Sequence, residues 1–114
     1  MIPWPRSLTY GNFGGPGWSG GEFVDDPAMV NYSAGSVDSM DDLFFIHDGA
    51  YQSTKGSPYS RFMRRYADAE LFAGLIYLPF LTRQWPRKPK RWYHAQAYRI
   101  AAIIGFGLKL ITGF

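Results

Sequence analysis

His47 and Asp48 are neighbours, Tyr51 follows one helical turn later, and Asp68 stands a further 17 positions along the chain. Imidazole is the side chain whose charge changes near neutral pH. A carboxylate bonded to one ring nitrogen fixes its tautomer and turns the other nitrogen into a general base. Consecutive residues on a helix point about 100° apart, so His47 and Asp48 cannot serve one target as a unit. One faces a second helix while the other faces whatever flanks the first. Tyr51 is placed to donate its hydroxyl to Asp68. A lone helical histidine beside an aspartate is more often a surface pair or a satisfied core residue, and a helical aspartate is usually just solvated. What weighs against both bland readings is the order in which four such features occur together.

The first of these features is residues 10–21, which hold six glycines among positions 11–21, interleaved with Tyr10, Phe13 and Trp18. So many glycines exclude a stable helix or a central strand. A flexible linker rarely carries such rings, whereas an ordered loop whose backbone approaches a ligand does. A carboxylate such as Asp48 aimed at free loop carbonyls makes an oxygen site suited to Ca²⁺. Asp38, Asp41 and Asp42 mark a helix start, and a helix over 38–53 puts Leu43, His47 and Ala50/Tyr51 on one stripe. Gly56, Ser57 and Pro58 break the chain. A second helix over 60–78 aligns Asp68, Leu71, Leu75 and Leu78, and Pro79 ends it. So short a connection predicts antiparallel packing, which lets His47 face Asp68. A basic, proline-rich connector, 79–91, leads to an apolar helix over 92–111. The expected fold is mainly α in one 114-residue domain: two antiparallel catalytic helices, an N-terminal Gly-rich calcium loop and a C-terminal apolar helix.

The net charge of +3 hides an asymmetry: residues 1–70 carry nine acidic and five basic side chains, residues 71–114 seven basic and no acidic ones. A basic second half suits a polyanion. Arg87, Lys88, Lys90 and Arg91, with Trp85 and Trp92 interleaved, fit an anionic lipid surface, although a solvated loop with incidental aromatics is an equal reading. No nucleic acid is expected as a partner, since no aromatic-rich strand motif is present. The absence of cysteine makes folding independent of the redox state. Residues 1–6 have neither the apolar stretch nor the small-residue cleavage site of a secretory leader. Between Arg99 and Lys109 the apolar tail is too short for a membrane span.

The string Asp41-Asp42-Leu43-Phe44-Phe45-Ile46-His47-Asp48-Gly49-Ala50-Tyr51 resembles the phospholipase A2 signature Asp-x-Cys-Cys-x-x-His-Asp-x-Cys-Tyr. Leu43, Phe44 and Ala50 stand where secreted enzymes have cysteines. Tyr10-Gly11-Asn12-Phe13-Gly14-Gly15-Pro16-Gly17 is similar to the family's calcium loop, again without cysteines. The connection from Gly17 to Asp41 is longer than in secreted enzymes, and Trp18 replaces a family glycine. The phospholipase domain of parvovirus capsid proteins is likewise a cysteine-free variant with the His-Asp-x-x-Tyr core. The resemblance, which covers residues 10 to about 75, implies His47 as base, Asp68 as its partner with Tyr51, and Ca²⁺ on the Asp48 carboxylate and the carbonyls of Phe13, Gly15 and Gly17. It also implies that the Gly15 N–H helps hold the oxyanion, and that the chain hydrolyses the sn-2 ester of phospholipids at a membrane surface. One carboxylate with neutral carbonyls should bind Ca²⁺ only at about 10⁻⁴–10⁻³ M, which implies action outside a low-calcium cytosol. The rival from another class is a non-catalytic membrane-binding or lytic protein, for which the basic aromatic connector and apolar tail suffice. A helical His-Asp phosphohydrolase is a poorer rival, because no histidine precedes His47 to complete a metal site.

Overall fold

A computed structural model of the chain describes residues 9–14, 18–19, 21–23, 34–54 and 56–112. The chain is mainly α-helical, with helices α1 (Ser39–Ser53), α2 (Ser60–Tyr77) and α3 (Trp92–Thr112). Two two-residue strands, β1 (Trp18–Ser19) and β2 (Glu22–Phe23), pair antiparallel with Trp18 opposite Phe23. This minimal hairpin and a Tyr10–Gly14 bridge give the glycine-rich stretch its only regular pairing among the described residues.

Local chemistry explains both ends of α1 and the end of α2. Asp38 lies just outside α1 with extended backbone, and its carboxylate accepts the Asp41 N–H at 2.8 Å, so the expected first helical residue is instead the N-cap. At the other end the Thr54 hydroxyl donates to the Tyr51 carbonyl at 2.8 Å, satisfying a terminal acceptor. Gly56 then takes φ +77°, a left-handed turn that glycine adopts without cost. Pro79 pushes Leu78 out of the helical region to ψ 139°, which ends α2.

Packing follows the apolar stripes. α2 buries Ala67, Asp68, Leu71 and Leu75, spaced as successive turns of one face. Of these, Leu71 and Leu75 meet Tyr10, Phe13, Met40, Phe44, Trp85 and Ala95 in one buried cluster. Two of the three apolar residues at family cysteine positions, Leu43 and Phe44, join this core, Phe44 packing edge-on against Tyr98 at 5.8 Å. α1 and α2 approach closely at Gly74, where an added Cβ would sit 2.9 Å from a Leu43 methyl. α3 lies against α2. No helix among the described residues is long and apolar enough to cross a membrane.

Arg99 joins α3 to the end of α2. Its buried guanidinium donates to the carbonyls of Leu75 at 2.7 Å, Ile76 at 3.1 Å, Leu78 at 2.5 Å and Pro79 at 3.0 Å. The last turn of a helix leaves such acceptors without intrahelical donors, and one cation supplies three of them together with the Pro79 carbonyl that follows.

Candidate active site

His47, Asp48 and Tyr51 come from α1, Asp68 from α2. His47 Nε2 lies 2.7 Å from Asp68 Oδ1. Tyr51 Oη donates to the same oxygen at 2.6 Å. The second carboxylate oxygen accepts from Lys109 Nζ on α3 at 2.9 Å, and Lys109 also donates to Tyr51 Oη at 2.6 Å. Asp68 has a side-chain exposure of 3%, so each of these donors acts on a desolvated acceptor.

Burial alone would raise the Asp68 pKa, yet the bonds from Tyr51, His47 and Lys109 hold it below the usual carboxylate range. An ionised Asp68 accepts only, so Nε2 carries the imidazole proton and Nδ1 is left as the basic nitrogen. Burial lowers the His47 pKa more than the Asp68 bond raises it, and Lys109 adds to the lowering. Neutral imidazole, the form a general base requires, is thereby favoured. Ring contacts fix its orientation: Tyr51 stacks at 4.5 Å between centroids, and Phe106 of α3 meets it edge-on at 5.3 Å.

His47 also borders a cavity of about 430 Å³, walled by Phe13, Phe44, Asp48, Ala102 and Phe106 and dominated by apolar surface. His47 Nδ1 is 4.0 Å from Asp48 Oδ1, too far for a hydrogen bond. Asp48 and Phe13 thus share one cavity with the imidazole. Among the described residues no three His, Asp or Glu side chains gather as a metal cluster. A cation here would have to draw on the Asp48 carboxylate and backbone oxygens, an all-oxygen set that fits calcium. Gly15 and Gly17, the other expected loop ligands and the expected oxyanion donor, lie outside the described residues.

The loop is held by Asp41, which the sequence marks as part of a helix start and as the first residue of the signature string. Asp41 is fully buried and accepts the N–H groups of Asn12 at 2.9 Å, Phe13 at 3.0 Å and Val37 at 3.0 Å. Gly11 is required beside it: its φ is +53°, and a Cβ there would fall 2.5 Å from Asp41 Cγ. Tyr10 completes the attachment by donating to Asp38 at 2.5 Å.

The expected membrane-facing set needs one correction. Trp85 is not at a surface: it is 2% exposed, within the core, and its indole N–H donates to the Pro79 carbonyl at 2.8 Å. The indole is large enough to fill the space beside the α2 terminus, and a buried acceptor satisfies its one polar atom. Arg87 pairs with Asp42 at 2.6 Å and bonds the Ser36 carbonyl at 2.6 Å, tying the connector to the start of α1. Lys88, Lys90, Arg91 and Trp92 are exposed.

Lys109 is the site residue that sequence reasoning missed. Its signal was a cation near the end of an otherwise apolar helix, noted only as the boundary of the tail. Comparison with protein-family models, curated proteins and solved structures finds no match to this chain.

Proposed function

We propose that the chain is a calcium-dependent phospholipase A2, acting on the sn-2 ester of glycerophospholipids at a membrane surface through an antiparallel pair of catalytic helices. The observation that carries this reading is the 2.7 Å imidazole–carboxylate contact whose free ring edge opens on the cavity bordered by Asp48 and Phe13. In this reading Asp68 and Tyr51 hold the ring with Nδ1 toward the cavity. Nδ1 takes a proton from a water, and the resulting hydroxide attacks the ester carbonyl. His47 then returns that proton to the departing glycerol oxygen. The apolar wall formed by Phe44, Ala102 and Phe106 receives the acyl chain and excludes bulk water. The N–H of Gly15 is the proposed oxyanion donor. Calcium bound at Asp48 and the loop carbonyls would supply Lewis-acid polarisation of the ester and charge neutralisation of the phosphate.

Fatty-acid release from mixed phospholipid vesicles tests the proposal. The parent should yield sn-2 fatty acid and lysophospholipid with calcium, and His47→Gln should yield neither. Lipolysis that persists in EGTA refutes it. The exposed apolar face of α3, with Ile100, Ile104, Leu108 and Ile111, favours a second reading as a non-catalytic membrane-disrupting protein. Vesicle leakage with every lipid intact is the signature of that alternative.

A further inference from the structure

Asp68 and Tyr51 also border a second cavity of about 560 Å³, whose wall includes Ser60, Arg61, Arg64, Arg65, Lys109 and Thr112 but not His47. Four cations face it and one carboxylate, Asp68, which already accepts from His47, Tyr51 and Lys109. The three arginines stand at i, i+3 and i+4 in the opening turns of α2, so they are neighbours on one helical face. Like charges at that spacing repel, and cations near a helix N-terminus oppose the positive end of the dipole. No acid in the first turn offsets them, and Tyr59 provides no side-chain cap. Among the described residues none of the three arginines has an ion-pair partner. Arg64 spends one donor on Thr54 at 2.9 Å and Arg65 one on Leu110 at 2.5 Å, out of five on each guanidinium.

We infer that this cavity is a binding site for a phosphate dianion, free or as a monoester, gripped by Arg61, Arg64 and Lys109 with Ser60 on the cavity wall. Bound there, a dianion relieves the repulsion among the arginines and takes charge-assisted bonds from planar donors matched to its oxygens. Its source is either free phosphate or the headgroup of a lipid such as phosphatidic acid. The site shares Lys109, Asp68 and Tyr51 with the candidate active site, but His47 does not line it, and phosphate binding can be read without any lipolysis.

The test titrates the full chain with inorganic phosphate at constant ionic strength, following backbone amide resonances of the first turns of α2. A second arm measures cosedimentation with phosphatidylcholine vesicles, with and without phosphatidic acid. Arg61→Gln/Arg64→Gln should weaken the interaction by at least about tenfold, the scale of losing charge-assisted bonds. Arg61→Gln alone, at an exposed side chain with no bond to lose, provides a variant certain to be compared in the folded state. His47→Gln should bind phosphate as the parent does, which separates this result from any failure of lipolysis. Phosphate binding lost in the double variant supports a free-ion site, and retention on phosphatidic acid alone, lost in the same variant, supports a headgroup site. Binding by neither probe, or equal binding in the arginine variants, overturns the inference.

Discussion

Lys109→Met removes an ammonium while keeping the length of the side chain. In the parent, Asp68 Oδ1 accepts from His47 and Tyr51, and Oδ2 accepts from Lys109 at 2.9 Å. The variant leaves Oδ2 of a side chain only 3% exposed without that donor. Losing a hydrogen bond to a charged group costs about 1.5–3 kcal/mol. Lys109 is itself 32% exposed, so water can partly replace it. The expected cost is therefore near the lower end, about 1.5–2 kcal/mol. Urea unfolding of parent, Lys109→Met, Asp68→Asn and the double variant closes a cycle that isolates the pair. The coupling should equal most of that cost at pH 7. Because Asp68 is held below its ordinary pKa, its contribution is present above the unfolded value of about 3.9 and is lost as pH falls through the folded one. The parent should thus lose its advantage over Asp68→Asn in acid. A coupling below about 0.3 kcal/mol, within the additivity error for independent sites, would refute the claim that α3 helps fix the carboxylate.

Other perturbations probe the remaining supports. Arg99→Met strips the Leu75, Ile76 and Leu78 carbonyls of the guanidinium, Pro79 keeping the Trp85 indole, and should cost about 3 kcal/mol in urea unfolding, with faster amide exchange where α3 crosses α2. Asp41→Ala should release the N–H groups of Asn12, Phe13 and Val37 from protection against hydrogen exchange and lower any calcium-dependent activity along with stability. Trp85→Ala should destabilise by about 3–5 kcal/mol, as for a buried large-to-small change, without altering vesicle affinity of the folded fraction. Trp92→Ala, at a residue 65% exposed, should do the reverse: little change in melting and weaker vesicle binding.

Local signals made the helices legible. Acids before Leu43, the Gly-Ser-Pro break and Pro79 act within a turn or two of the boundaries they cause, so the three helices fall within a residue or so of where the pattern put them. The His47–Asp68–Tyr51 cluster was legible because a short connection between two stripes leaves few ways to pack them. What escaped notice depends on long-range contacts. Lys109 reaches Asp68 from 41 positions away, and nothing in its neighbours indicates a buried anion opposite. Trp85, set among five cations, reads as a surface ring until the Pro79 carbonyl and the core beside it are known. Asp41 and Asp42 look alike in the sequence, yet one is sealed against the loop and the other pairs with Arg87 in water.

Cross-linked proteins carry a memory of how their sulfurs last paired, and a wrong pairing persists until exchange chemistry releases it. Arg99 secures α2 to α3 with hydrogen bonds, which need no exchange chemistry to re-form. Repeated heating and cooling should accordingly return the same helical signal each time, in oxidising and reducing buffers alike.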